Sequence, residues 1–297
     1  MKRFPLPESL VAQARSYADG DATPAEPRDA ATVVLLREGA DGSEVYLLRR
    51  QTTMAFAGGM CVFPGGGVDP RDFDSELTGE GLVDRGLWAG PTPAEWALRL
   101  GCDEPMARAL VCAAVRETFE ESGVLLAGAT PVDVVADTTG DDWEAQRVAL
   151  ETRELSLTSF LEDRSLVLRT DLLGVWSGWL TPVFEPRRYR TWFFVARLPE
   201  GQVTRDVSTE SSSVAWLSAD DAVAQVEEGQ MLMMPPTWLT CLDVAQHAGP
   251  DAVLDEARGR TVDMFMPAVV SRGDDFILST PEHYEQLVAQ RSDRGRG

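Results

Sequence analysis

"RETFEESGV", Arg116–Val124, places three carboxylates on one helical face, because Glu117, Glu120 and Glu121 stand at i, i+3 and i+4. Like charges at this spacing repel by ~0.2–0.5 kcal/mol per pair. Gly123 predicts the helix stop, so the cluster also occupies the last turn, where the helix dipole disfavours negative charge. A hard cation such as Mg²⁺ removes both penalties, since it takes carboxylate oxygens and keeps waters for other ligands. Arg116 can pair with Glu120 at i+4, and Val111, Cys112, Val115 and Phe119 lie roughly opposite, facing a core. By itself the cluster also fits a solvated face on an acidic protein. Upstream stands "FPGGGVDP", Phe63–Pro70. Its glycines reach backbone angles closed to other residues and leave amides and carbonyls bare for a metal or a phosphate. By itself it also fits a tight strand-to-helix turn.

The 297 residues suffice for one large domain, and 44% hydrophobic content suffices for its core. No apolar run is long enough for a membrane span, and "MKRFPLPESL" lacks a signal-peptide core, so a cytoplasmic protein off the membrane is expected. The formal net charge of −21 argues against a nucleic-acid partner. It also requires metal and local arginines to reverse the field around any phosphate substrate. The four cysteines form no C-x-x-C pair and read as reduced thiols. The two histidines, His247 and His283, match no metalloprotease or triad pattern.

Outward from the two motifs, "ATVVLLR" (Ala31–Arg37) and "VYLLRR" (Val45–Arg50) predict a hairpin, and "CVFPGGG" a short strand running into a glycine loop. Thr92, Pro93, Glu95 and Gly101 delimit a small capped helix. A longer helix is predicted over Glu104–Ser122, and further helices near Leu10–Tyr17, over 141–163, after Ser218, and with a cap at Thr237. "VLLAG", "WSGWLTP", "TWFFVARL" and "SVAWLS" predict strands, and "DFILST" a strand closing the sheet. Strands and helices mix without regular alternation, so the fold class is α/β (α+β), a mixed β-sheet sandwiched between helices. The expected organisation is an extension over 1–30, one domain over 31–290 and a polar tail over 291–297.

The two motifs together resemble the Nudix hydrolase family, whose signature is G-x5-E-x7-R-E-U-x-E-E-x-G-U, U being a bulky apolar residue. Arg116, Glu117, Glu120, Glu121, Gly123 and Val124 match the second half, with Thr118 at one U position. Gly66 matches the leading glycine, and five residues on Asp72 stands where the family has Glu. Asp72 and Arg116 are 44 positions apart where the signature has 8, an insertion of 36 residues at about 73–102. Loop-closure entropy rises slowly with length, so such an insertion is tolerable when its ends stay close. A split box of this kind is similar to the subgroup that includes the peroxisomal coenzyme A diphosphatases. Gly59-x3-Phe63 keeps the glycine of that subgroup's coenzyme A signature, and Ala55 stands where the signature has an arginine.

The resemblance implies metal-dependent hydrolysis of a diphosphate linkage in a nucleoside diphosphate derivative, coenzyme A or acyl-coenzyme A first, ADP-ribose or NADH next. A Nudix-fold binding module without turnover is the reading from another class. Mg²⁺ or Mn²⁺ would be held by Glu117, Glu120, Glu121 and the Gly66 carbonyl. Arg116 would orient the cluster by ion pairing, and Asp72 would reach it as the family's Glu does or, being one methylene shorter, lose that contact or make it through water. The general base would come from the box or from a carboxylate outside it, Glu210 before Glu185. Arg49, Arg50, Arg187, Arg188 and Arg190 are the candidates for substrate phosphates. Tyr189, Trp192 and Phe56 are the candidates for stacking on a base. The inserted helix is a candidate to cover the substrate or to join a homodimer.

Overall fold

The apolar run around Val33 becomes the middle of a mixed sheet. In the computed structural model, which describes residues 8–18, 20, 22–53, 57–73, 81–272 and 275–294, strand β1 spans Arg28–Gly39, longer at both ends than its sequence core. It turns through Gly39 and Gly42 into β2 (Gly42–Arg50) and runs parallel to β9 (Tyr189–Arg197). With β8 (Leu173–Leu180), β10 (Ser211–Ser218) and β11 (Met264–Phe265), the strand order is β10-β2-β1-β9-β8-β11. The short strands β3 (Cys61–Val62) and β4 (Gly65–Gly67) pair with β2 and β1.

Period-two alternation sends side chains to two cores. Ala31, Val33 and Leu35 face one, Val34 and Leu36 the other. Trp192 and Phe194 on β9 follow the first set, Phe193 and Val195 the second. A bulge between Val175 and Ser177 shifts the phase of β8, so that Trp179 joins Trp176 in the second core although Leu173 and Val175 face the first.

Over the first core lie α2 (Pro93–Leu100), α3 (Glu104–Ser122), α4 (Asp141–Glu151) and α5 (Leu157–Asp163). Over the second lie α6 (Ala219–Glu227), α7 (Pro235–Val244), α8 (Pro250–Ala257) and α9 (Glu282–Arg294). The sheet is therefore sandwiched between helices, as the pattern predicts. Helix α1 (Glu8–Ala18) is tied on by Gln13 Nε2, which donates to the Phe184 carbonyl at 2.7 Å.

The described part of the insertion packs as core. Thr92 and Glu95 form a full capping box on α2, and Gly101 ends it at φ 67°. Trp96 is fully buried against Phe194, ring centroids 6.0 Å apart. The Leu100 carbonyl accepts the indole N–H of Trp192 at 2.9 Å. Strand β5 (Trp88–Ala89) joins β6 (Ala127–Gly128) and β7 (Val167–Arg169) in a small second sheet.

Five local expectations change. The glycine loop is strand β4. The stretch 141–163 is two helices, separated by a turn in which Arg153 takes φ 65°. Helix α7 is capped by Met234 rather than Thr237, because Pro235 and Pro236 are tolerated in the first turn, whose amides have no intrahelical partner. β13 (Asp275–Leu278) pairs only with β12 (Val269–Arg272) in a hairpin of its own and does not close the main sheet. Arg291, read as tail, lies in α9 and binds Glu227 and Asp220. No helix among the described residues is long and apolar enough to cross a membrane.

Candidate metal and diphosphate site

Helix α3 runs beneath β4 and brings the two motifs together. Asp103 caps its start, with its carboxylate accepting the Met106 amide, and Gly123 ends it at φ 74°. Val111, Cys112, Val115 and Phe119 pack into the first core as expected. This anchors the last two turns against the glycine strand.

The ladder phase decides which backbone groups of β4 face α3. Val33 donates to the Pro64 carbonyl and Val68 to the Asp29 carbonyl, with Ala31 opposite Gly66. In an antiparallel pair every second residue exchanges both hydrogen bonds with its partner, so Gly66 is engaged by Ala31. Gly65 and Gly67 look outward. The Gly65 amide donates to Glu121 Oε2 at 2.8 Å, and the Gly67 carbonyl accepts from Arg116 Nη2 at 3.0 Å. The Gly66 carbonyl, expected as a metal ligand, is thus turned into the sheet; the outward carbonyl beside the carboxylates is that of Gly65.

Gly66 is needed for another reason: a Cβ there would lie 2.5 Å from a carboxyl oxygen of Glu117. A Cβ on Gly65 would instead meet the Ala31 carbonyl at 2.5 Å. Gly65→Ala therefore pushes on backbone and is expected to destabilise by ~1–3 kcal/mol, read as a lower Tm. Gly66→Ala pushes on a flexible carboxylate. It is expected to keep most of the stability and to weaken Mg²⁺ binding at least about tenfold, roughly 1.4 kcal/mol, by calorimetry.

Arg116 is the hub. It is 5% exposed, and its Nε and Nη2 donate to the two oxygens of Asp72, each at 2.9 Å. Its Nη1 donates to Glu117 at 2.7 Å and to both oxygens of Glu120 at 3.2 Å. Asp72 thus reaches Arg116 directly across 44 residues, with no water between, because the 3₁₀ turn Pro70–Phe73 brings its backbone close. The shorter side chain costs no contact.

Glu117, Glu121 and Glu210 line two cavities that meet at the glycine strand, one of ≈ 720 Å³ and one of ≈ 610 Å³. Glu210 comes from the turn before β10 and is held by Arg50 at 2.8 Å. Glu185 lines neither cavity. Burial, and then the neighbouring Glu117 carboxylate, pushes Glu120 up to about 7. Burial raises Glu117, and burial followed by the Glu117 carboxylate lifts Glu121 well above its usual value. Each of these groups is harder to ionise folded than unfolded. Its contribution to stability is full below the unfolded pKa near 4.5 and is lost as pH rises through the folded value, about 7 for Glu120. Metal-free protein is therefore expected to lose thermal stability between pH 4.5 and 7.5, and Mg²⁺ to raise the Tm by more at pH 8 than at pH 5.5.

Among the described residues no three acidic, cysteine or histidine side chains are already gathered as a metal cage. The carboxylates are drawn to different donors, Glu121 to Gly65 and the other two to Arg116. The donor set nonetheless fits a hard divalent cation. It offers three desolvated carboxylates with raised proton affinity, beside a glycine edge with nothing to block approach.

The arginines divide. Arg50 lines the larger cavity. Arg49 is exposed, its Nε 3.4 Å from the Gly59 carbonyl, and Arg187 is exposed; neither lines either of these two cavities. Arg188 is buried and donates to the Thr181 and Ala25 carbonyls, a structural role. Arg190 is held by Asp29 at 2.6 Å. Arg153, unmarked in the sequence, lines both cavities from the turn after α4, and its left-handed backbone without glycine leaves no local sequence signal. Tyr189 also lines both cavities, whereas Trp192 is core, and Ala55 and Phe56 lie outside the described residues.

Residues 27–242 match the family described as NUDT19 Nudix domain. The acyl-coenzyme A diphosphatase NUDT19 of Xenopus laevis is 27% identical over 217 residues, covering 65% of this chain and 57% of that protein. The chain thus spans little more than half the length of that relative. The protein of the same name from Gallus gallus is 26% identical over 309 residues, covering 86% and 78%. A solved NUDIX hydrolase from Alicyclobacillus acidocaldarius shares the fold, with a TM-score of 0.65, 24% identity, and coverage of 77% of this chain and 96% of that one.

Proposed function

We propose, because the chain belongs to the Nudix hydrolase family through its NUDT19 Nudix domain, that it hydrolyses the diphosphate linkage of coenzyme A or an acyl-coenzyme A. The observation that carries this reading is the meeting of Glu117, Glu121, Glu210 and Arg153 at the junction of two cavities, with Arg50 in the larger of them. Glu117, Glu120 and Glu121 would hold Mg²⁺ or Mn²⁺, with the outward Gly65 carbonyl as a further ligand. When bound, the divalent ion supplies charge neutralisation for the diphosphate and acidifies a water. Arg116 fixes Glu117 and Glu120 and holds them against Asp72 and β4. Glu210, about half exposed and oriented by Arg50, is placed to accept a proton from water. Arg50 and Arg153 counter the substrate charge in an otherwise acidic cleft. The relatives named acyl-coenzyme A diphosphatases support the substrate class.

The test is a panel of coenzyme A, an acyl-coenzyme A, ADP-ribose, NADH and a nucleoside triphosphate, each with Mg²⁺ and with Mn²⁺, products separated by chromatography. The expected result is cleavage of the coenzyme A substrates to an adenosine bisphosphate and a phosphopantetheine or its acylated form. Cleavage of ADP-ribose or NADH alone would retain the hydrolase class and discard the coenzyme A reading. Metal binding with no product from any compound would favour a binding module.

A further inference from the structure

The ≈ 720 Å³ cavity does not end at the carboxylates. It continues across the second face of the sheet in a fixed order set by strand register. Thr32 lies opposite Gly65, Thr191 is next to Ala30 on the neighbouring strand, and Phe193 is beside Thr32. Thr32 therefore comes first from the glycine strand, Thr191 and Phe193 next on β9, and Trp179 after them on β8, paired with Thr191. Trp179 and Trp238 also line the cavity, together with Ile277 of the β12–β13 hairpin and Met234 ahead of α7. The indole N–H groups of the two tryptophans are spent on Ser177 Oγ and the Val223 carbonyl, so neither ring presents an unpaired donor to the chamber, whose charged lining at this end is Glu227 and Glu285. A volume of this size is typical of a ligand site, and an apolar one gains from apolar contents.

Resting on the diphosphatase reading above, we infer that this chamber binds the acyl-thioester end of the substrate and selects for chain. The diphosphate lies at the carboxylates, the amide-bearing linker passes Thr32 and Thr191, and the acyl chain enters between Trp179, Phe193 and Trp238. The bare glycine edge is what connects the two ends, since no β4 side chain walls the chamber off from Glu117 and Glu121. The chain acts as a specificity handle. Each methylene that leaves water on entry strengthens binding by about fourfold at most.

The test is the ratio of kcat/KM for octanoyl-coenzyme A to that for coenzyme A, in wild type, Met234→Trp and Ile277→Trp. Met234 makes no side-chain cap bond, so its replacement removes no capping hydrogen bond from α7. The expected ratio is at least about tenfold in wild type and falls towards one in both variants, with thermal midpoints close to wild type. A ratio near one in wild type overturns the inference, as does a ratio unchanged in either variant that folds. If wild type yields no product from any coenzyme A compound, the diphosphatase reading fails, and equilibrium binding of the same two compounds to the same protein is read instead. Tighter octanoyl-coenzyme A binding, lost in the variants, sustains the chamber. Equal affinities or no binding of either overturn it.

Discussion

Glu121→Gln is expected to lower kcat/KM for the preferred substrate about a thousandfold, roughly 4 kcal/mol of transition-state stabilisation, while leaving the fold intact. The argument begins with what the substitution keeps. A glutamine carbonyl can still accept the Gly65 amide, so the contact between α3 and β4 survives. What is lost is one negative charge that burial and Glu117 already hold far above its usual proton affinity. Removing a strained charge does not destabilise metal-free protein. At pH 8 its Tm is expected to equal or exceed that of wild type, and the gain from added Mg²⁺ to shrink. Activity and metal response fall while stability does not, and a structural role would move them the other way. A loss in kcat/KM below about tenfold, with metal affinity unchanged, would sink the assignment of Glu121 as a ligand. Glu120→Gln is a sharper case for stability, because Glu120 also accepts from Arg116. Its expected signature is the same loss of turnover with a small fall in Tm.

How much of this was legible beforehand depended on the range of the interaction responsible. The bounds of α3 and the capping box of α2 follow from neighbours three or four residues apart, and both stand where the residues place them. The pairing of Arg116 with Glu120 is of the same kind. The family resemblance carried one long-range contact, Asp72 to Arg116, because the signature already ties those positions. Other long-range facts left no trace. The inward turn of the Gly66 carbonyl is set by its register with Ala31, and no glycine-rich string encodes a register. The five arginines looked alike as charges, yet their acceptors are scattered. Arg188 finds the Ala25 carbonyl 163 residues away, and Arg190 finds Asp29 across the parallel β1–β9 pair. Glu210 was chosen by its place before a strand, and the structure brings it to the cleft by pairing β10 with β2, which sets it on Arg50.

Arg116→Ala is expected to have the largest effect on stability, about 3–5 kcal/mol, and to lower the Tm by on the order of 10 °C. The side chain is 5% exposed and Asp72 is 2% exposed, so neither can recover its partner from water. Removing the guanidinium leaves four carboxylates, those of Asp72, Glu117, Glu120 and Glu121, in one desolvated region without their central cation. The penalty is carried by ionised carboxylates, so it should be smaller at pH 5 than at pH 8, where protonation no longer relieves it. Arg116→Lys keeps a charge but cannot reach Asp72 with two parallel bonds, the Gly67 carbonyl and the glutamates at once, so most of the loss should remain. The decisive measurement is the double mutant Asp72→Ala, Arg116→Ala. If the two residues act as one buried pair, the double mutant loses less than the sum of the singles by ~1–3 kcal/mol. Strict additivity in urea unfolding would mean that Arg116 serves the glutamates alone. The span between Asp72 and the helix would then be held by the packing of Trp96 and Leu100, and the ion pair would only mark where the two ends of the insertion meet.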